Sequence, residues 1–402
     1  MVLAVLLALS CAANAQDFRV HGYLDLRAVA APDERSWTDG GLGKSRFGES
    51  DDGVRPGGAL LALGWQIAPA WSASADLQYQ ADQRRHFDAT EAYVRYRPVS
   101  VTPWRWSLKL GAFFPPISLE NDAIGWVSPW TLTPSAIDSW VGEELRTIGA
   151  EFSLEHRGLW NTFQAGFALF GKNDPAGELL SSRGWSLSDL TSGLHAFVRE
   201  PDVYATVVHA SGRVDYRPFD EIDHRPGWYA DVSWDSRAWG RWVLLRYDNR
   251  ADPAAFGNHG DRRVYAWHTR FWSAGLRRQF GDVVVIAQAM DGITTIAPAP
   301  AFSLDTRFDA GYLLLGWSRG PWRPSLRADF FSLDQPTGAS SPSPDSEHGR
   351  ALTAALNWRP NDRLRVTGEW LRIDSTRNQR LSENLRPRRI DNQFQISARL
   401  LF

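Results

Sequence analysis

Residues 71–82 read WSASADLQYQAD, and the stretch alternates without exception. Trp71, Ala73, Ala75, Leu77, Tyr79 and Ala81 are apolar; Ser72, Ser74, Asp76, Gln78, Gln80 and Asp82 are polar. A period of two is the signature of a strand with one face in oil and one in water. The same beat recurs at Phe18–Ala28, Trp104–Ala112, Thr147–Glu155 and Gln393–Phe402. A soluble sandwich would show this pattern too, so the links between strands decide. Short links (Ala68–Ala70, Pro98–Pro103, Arg157–Trp160, Ser236–Gly240, Gln279–Gly281, Arg319–Trp322, Pro360–Asp362) alternate with long polar ones (Pro32–Arg55, Pro115–Glu144, Gly171–Arg225, Arg250–Arg262, Gly292–Thr306, Asp334–His348, Ser375–Arg388). The exception is Gln83–His86, a short member of the long set. Turns at one end and loops at the other are the layout of a transmembrane antiparallel β-barrel, with short periplasmic turns and long extracellular loops. The pattern predicts sixteen strands. The extended stretch Val203–Arg217 makes it eighteen if it inserts as a hairpin.

Composition agrees with this all-β reading. Among 402 residues, 44 Lys+Arg face 46 Asp+Glu, a net charge of −2, which argues against a nucleic-acid binder. Mean hydropathy is −0.34, too low for a bundle of transmembrane helices. Hydrophobic content of 43% is too high for a disordered chain. The first residues carry no charge: Val2–Leu9 is apolar, and Ala13-Asn14-Ala15 has the small-x-small form of a cleavage site. Residues 1–15 are expected to be a signal peptide, leaving 16–402 as a single barrel domain. Cys11, in this segment, is the only cysteine; a lipoprotein anchor there is the alternative, although Ala8 stands where Leu is usual. The remainder offers no disulfide and no thiolate ligand.

Trp65, Trp71, Trp104, Trp106, Trp160, Trp234, Trp239, Trp242, Trp317, Trp322 and Trp358 all flank short turns. An indole there fits the headgroup level, ring in lipid and N–H toward water. Phe402 ends the final strand on its oily face, which resembles the signal by which the barrel-assembly machinery recognises its clients.

A sixteen-strand cylinder is too wide for wall side chains to fill, so water is expected inside and the ionised faces are expected to point at it. The expected function is a diffusion channel for small hydrophilic solutes. Positive and negative groups come out equal on the predicted lumen face, with Arg246, Arg270, Asp248 and Asp309 counted among them. Weak ion selectivity follows. Arg95 and Arg97 on one strand, and Arg105 and Lys109 on the next, form the candidate basic wall. Cross-strand pairing with Glu91 and Glu151 is the alternative role for the four.

Leu108–Asn121 reads LKLGAFFPPISLEN. It resembles the segment of phosphate-selective porins of Gram-negative bacteria in which a strand ends and the third loop begins. The resemblance implies a sixteen-strand barrel, usually trimeric, in outer-membrane lipid and lipopolysaccharide. It also implies uptake of anions such as phosphate, and a third loop folded into the lumen. On this chain that constriction is Pro115–Glu144, whose acidic groups include Glu120, Asp122, Asp138, Glu143 and Glu144, with no basic residue.

No cofactor, metal or enzymatic role is expected. TDGGLGKS at Thr38–Ser45 lacks the first glycine and the following helix of a phosphate-binding loop. The nine histidines are not paired at metal-ligand spacing, and Glu49, Asp51 and Asp52 read as a solvated acidic loop. An enzymatic or adhesive barrel and a secreted soluble β-sandwich are the competing readings.

Overall fold

The computed structural model of the chain describes residues 17–203, 215–259, 262–300, 302–336 and 346–402. The expected signal peptide lies outside these residues, as do the loop tip Thr337–Asp345 and most of Val203–Arg217.

Sixteen antiparallel strands close into a barrel. In chain order these are β1 (Phe18–Ala30), β2 (Gly53–Ala68), β3 (Trp71–Tyr79), β4 (Phe87–Tyr96), β5 (Trp104–Phe113), β6 (Thr147–Arg157) and β7 (Asn161–Gly171). The wall continues with β10 (Gly227–Ser236), β11 (Gly240–Asp248), β14 (His268–Phe280), β15 (Val283–Ala299) and β16 (Phe302–Trp317), then β17 (Trp322–Asp334), β18 (Ser346–Asn361), β19 (Leu364–Arg377) and β20 (Arg388–Leu401). Two small hairpins stand apart from the wall: β8 (Val198–Arg199) with β9 (Asp215–Tyr216), and β12 (Phe256–His259) with β13 (Arg262–Tyr265). Because β7 pairs directly with β10, the barrel closes at sixteen strands and the eighteen-strand alternative is not realised. Among the described residues no helix is long and apolar enough to cross a membrane.

The seam is made by β1 and β20, in register from Tyr23 opposite Leu401 to Ala30 opposite Phe394. Gly22 and Phe402 exchange backbone hydrogen bonds of 2.9 and 3.1 Å. A Cβ on Gly22 would fall 2.7 Å from the Phe402 ring and 2.3 Å from the Leu60 carbonyl. Only glycine lets the terminal aromatic lie flat on the first strand.

The turn-flanking tryptophans face outward. Trp65, Trp71, Trp104, Trp106, Trp160, Trp239, Trp242, Trp317, Trp322 and Trp358 are 38–63% exposed. They form the girdle at the turn end, with Leu77, Leu244, Leu313, Leu315, Leu326 and Leu356 exposed above it.

Two expectations need correction at the loop end. The first concerns boundaries. The presumed long loop Gly292–Thr306 is mostly strand: β15 and β16 stay paired past Thr295 opposite Asp305. The stretch that follows the expected link Arg250–Arg262 is not one strand: its start belongs to β13, paired with β12, and the barrel strand begins at His268. The second concerns facing. Arg246, Asp248, Arg270 and Asp309 point outward, not into the lumen. Arg246 lies over the outward Trp272 ring, Asp248 bonds His268 at 3.0 Å, and their neighbours Tyr247, Phe271 and Phe308 take the buried inward positions. For Arg270 on β14 and Asp309 on β16 the reason is length, and Arg246 and Asp248 end β11 at the same level, opposite Trp272 and Arg270 of β14. Strands β14–β20 have 13–17 residues, whereas a tilted strand needs roughly 9–11 to cross the bilayer. Their loop ends therefore rise beyond the oily band, and the charges there meet headgroups and water.

A substitution pair checks this band. Leu313→Arg, in the band, is expected to destabilise the barrel in vesicles by about 2–4 kcal/mol, and Asp309→Arg by about 0–1 kcal/mol. Equal costs in urea titrations would place the band elsewhere.

Candidate functional site

The lumen is not an open water column. Three loops turn inward and pack on the wall of β14–β20. Their buried side chains include Trp130, Ile137, Trp140, Val141, Leu180, Trp185 and Leu187, set against Phe271, Ile286, Met290, Phe308, Leu314, Phe331 and Ile373 of the strands. Trp140 meets Phe308, Phe271 and Trp185 edge-on, with centroids 5.1, 5.4 and 6.0 Å apart. Such pairs contribute about 0.5–1.5 kcal/mol each beyond the area they bury.

The third loop (114–146) crosses the lumen from β5. Gln288 donates to the Ile117 carbonyl at 2.9 Å, and Asn357 to the Trp130 carbonyl at 2.6 Å. Glu369 accepts from the backbone N–H groups of Leu132 and Thr133. The loop then forms helix α1 (Ala136–Glu144), capped by Ser135, whose Oγ accepts from the Asp138 N–H at 3.2 Å. All nine residues of α1 are buried.

The fourth loop (172–226) packs beside it through helix α2 (Glu178–Arg183). Arg183 pairs with Glu143 at 2.7 Å, and Glu144 accepts from Trp140 Nε1 and the Tyr216 hydroxyl, each at 2.6 Å. Gln78 and Gln83 on the opposite side both donate to the Thr191 carbonyl, at 2.8 and 2.6 Å.

The first loop (31–52) closes the set. Lys44 pairs with Glu347 of β18 at 2.6 Å, and Arg377 of β19 joins that carboxylate at 3.1 Å. The same carboxylate accepts from the Trp185 N–H at 3.3 Å, so Glu347 fastens two loops to the wall. Gly184 beside it has φ 79°, and a Cβ there would lie 1.7 Å from Glu347 Oε2. Asp189 accepts from Arg27 at 2.5 Å and from Arg46 at 3.3 Å, which holds its carboxyl well below the usual range.

Burial works the other way on several groups of these loops. It holds Asp138 well up, with Glu120 adding to it, and raises Glu143 and Glu144 despite their hydrogen bonds. Glu178 is pushed up to about 7, and Lys44 is pushed down to about 7 against the pull of Glu347.

Asp138, Glu143 and Glu144, read from sequence as channel-lining, are thus buried inside the packed loops. The basic candidates are elsewhere. Arg95, Arg97, Arg105, Lys109 and Glu151 surround one cavity of about 230 Å³ toward the turn end of β4–β7, joined by Glu155, Gln164 and Pro116. The register sets Arg95 opposite Lys109, Lys109 opposite Glu151, and Arg105 opposite Glu155. Lys109 pairs with Glu151 at 3.1 Å, and Arg97 with Glu155 at 3.7 Å. Arg95 and Arg105 have no carboxylate within pairing distance among the described residues, and the Nε of each is buried without a partner. Glu91 accepts from the Phe114 N–H at 3.0 Å and so orients the start of the third loop. Four cations against two carboxylates make this cavity attractive to anions.

The wall around the cavity also keeps more access to water than the far one. Asp76, Glu91, Arg95 and Lys109 are half-buried, whereas Arg327, Thr353, Thr367 and Glu347 are sealed. Among the described residues one loop cluster of carboxylates is close enough to hold a metal ion, and it is already engaged. Asp174, Glu221 and Asp223 converge within 4.8 Å, but Asp174 already accepts from the Ile222 and Asp223 N–H groups. Lys44, the lysine of the near-miss phosphate loop, is spent on Glu347.

Beyond the third loop, which the resemblance placed in the lumen, the sequence reading missed the inward packing of the first and fourth loops. Their signal is the break in alternation where both faces are apolar, as at Leu313-Leu314-Leu315 and Phe330-Phe331.

No protein-family model and no curated protein matches the chain. Solved structures do. The outer-membrane channel DcaP of Acinetobacter baumannii aligns over 96% of this chain and 97% of its own, at 11% identity and a TM-score of 0.57. A loop-L8 deletion mutant of OmpT, an outer-membrane protein of Vibrio cholerae, aligns over 96% and 99%, at 9% identity and 0.53. An anion-selective porin from Comamonas acidovorans aligns over 96% and 99%, at 11% identity and 0.50. At such identities the likeness establishes the fold, that of outer-membrane β-barrels.

Proposed function

We propose that this chain is an outer-membrane porin, a passive channel for small hydrophilic solutes that favours anions over cations. The observation that carries the reading is the lumenal cavity of β4–β7, where Arg95 and Arg105 stand without carboxylate partners. Fixed charge of one sign in a narrow wet passage selects ions by sign. The fold shared with a porin described as anion-selective supports it. So does the girdle at the turn end; in this reading the short turns face the periplasm and the long loops the outside. The conducting path in this reading runs through that cavity, along a wall where Asp76, Glu91, Arg95 and Lys109 keep access to water. The weak selectivity expected from equal charge counts gives way to a local preference: Glu151 and Glu155 leave an excess of two cations around the opening. Phosphate is one anion such a site would pass. A homotrimer is part of the reading, supported by the trimer form of the similarly folded OmpT of Vibrio cholerae. Export by a cleaved signal, client recognition by the barrel-assembly machinery, and lipopolysaccharide at the outer rim complete it.

Planar-bilayer recording is the test. The folded protein is expected to conduct, with a reversal potential on the anion side in asymmetric KCl. Arg95→Gln/Arg105→Gln is expected to cut the anion-to-cation permeability ratio several-fold. Absence of any conductance from folded protein defeats the channel reading; an unchanged ratio defeats the assignment of these two arginines.

A further inference from the structure

The lumen has a second turn-end cavity, on the wall of β14–β20 and β1, with a volume of about 1140 Å³. The third loop crosses the lumen between β5 and this wall, and its Asp122 and Trp130 form part of the lining. Arg277, Arg323, Arg359, Arg363, Arg365 and Arg399 reach the cavity, against only Asp122 and Asp362 among its acidic residues. Asp122 is taken by Arg277, and Arg399 is taken by Asp25 at 2.9 Å. The other four guanidinium groups have no carboxylate partner among the described residues. Arg323 donates only to the Ser318 hydroxyl at 3.3 Å. Arg365 donates to the Asn357 side-chain oxygen at 2.8 Å and to the Ser128 carbonyl at 3.4 Å.

Four like charges around one basin repel each other, and neutral oxygens offset little of that. An oxyanion offsets much more, because a guanidinium fork matches the geometry of a carboxylate or phosphate. Beside the polar His21, Gln279, Ser318 and Asn357, the lining has an apolar part formed by Trp130, Tyr23, Val284 and Val127. Trp130 is 4% exposed, and its Nε1 is buried without a hydrogen-bond partner. Arg323 lies over its ring at 5.8 Å. A basin of this size exceeds what an inorganic ion fills and lies at the scale of small-molecule sites, roughly 300–1,000 Å³.

We infer that this arginine basin is a binding site for organic oxyanions, molecules that join a carboxylate or phosphate head to a ring-sized apolar body. The head is held by Arg323 and Arg365, with Arg359 and Arg363 at the lip, and the body lies against Trp130. The site is separate from the β4–β7 cavity and does not require that the barrel conduct.

The test is binding of three probes to the full-length folded barrel in nanodiscs, by calorimetry. Phenyl phosphate carries head and ring, orthophosphate the head alone, and benzyl alcohol the ring alone. Phenyl phosphate is expected to bind at least tenfold more tightly than either of the others. Arg323→Gln/Arg365→Gln is expected to weaken it at least tenfold. Arg359→Gln/Arg363→Gln, at the lip where Arg363 is exposed and Arg359 half-buried, should weaken it several-fold. Trp130→Leu is expected to bring phenyl phosphate down to the orthophosphate level while leaving orthophosphate unchanged. Orthophosphate binding as tightly as phenyl phosphate overturns the organic part of the inference; indifference to both arginine pairs overturns the site. A protein that binds phenyl phosphate but fails to conduct would refute the channel and leave this inference standing.

Discussion

Replacing Arg327 by Met releases the third loop from the wall. Arg327 is fully buried on β17 and donates to Asp329 at 2.8 Å, Glu120 at 3.3 Å, Thr131 Oγ1 at 3.1 Å, the Thr133 carbonyl at 2.7 Å and the Pro134 carbonyl at 2.9 Å. Three of those partners are consecutive or nearly so in the loop, just before α1. Methionine fills the volume but leaves Glu120 and Asp329 without their cation. Removing one member of a buried ion pair costs about 3–5 kcal/mol, chiefly the desolvation of the charges left behind. The same energy holds the loop down, so the variant is expected to lose thermal stability, expose 115–135 to protease and raise single-channel conductance several-fold. Arg327→Lys is expected to recover part of the stability, because it restores the charge but not the fork that reaches these acceptors and Thr353 Oγ1 as well. A methionine variant with wild-type melting, protease pattern and conductance would show that Arg327 does not anchor the loop.

The second large effect concerns pH. Glu178 lies in α2, bonded to Trp267 Nε1 at 2.5 Å and close to Glu144, Glu200 and Tyr216. Its docked value of about 7 stands above the ordinary 4.5. Docking therefore favours the protonated form: it is at full strength below about 4.5 and weakens as pH rises to about 7. Asp174, also pushed up to about 7 by burial, and the raised Glu143 and Glu144 act in the same direction. Lys44, facing Glu347, Arg377 and Arg380, has the opposite sign. Its docked value of about 7 stands below the ordinary 10.5, so docking strengthens as pH rises from about 7 toward 10.5. The two together make the packed loops loosest near neutrality. Conductance is expected to peak around pH 7 and fall on both sides. Glu178→Gln should shrink the acid limb and Lys44→Met the alkaline one. A conductance that climbs steadily from pH 5 to 9 would sink this account of loop docking.

Both predictions concern the part of the molecule that alternation does not reach. The strands were legible because each obeys a local rule. In β3 every second side chain meets a different medium, so Leu77 and Asp76 declare their faces without reference to anything distant. The same rule failed at Arg246, Arg270, Asp248 and Asp309, toward the loop ends of their strands. There the outer medium is water, and the oily partner is a loop inside. The basic residues of β4 and β5 were legible as a group, since register follows from a short turn. Their division into paired Lys109 and unpaired Arg95 and Arg105 was not, because it depends on side-chain reach across strands.

By itself the sequence determined an even-stranded barrel, the girdle at its turn end and the oily band above, since two solvents imprint a period of two on any strand lying between them. Only the tertiary structure decided how the first and fourth loops join the third inside the lumen and what fastens them there. The contacts that settle it join residues remote along the chain, as Lys44 joins Glu347 and Glu34 joins Arg380. A buried pair of that kind depends on the closed wall bringing its members together, and no periodicity records it.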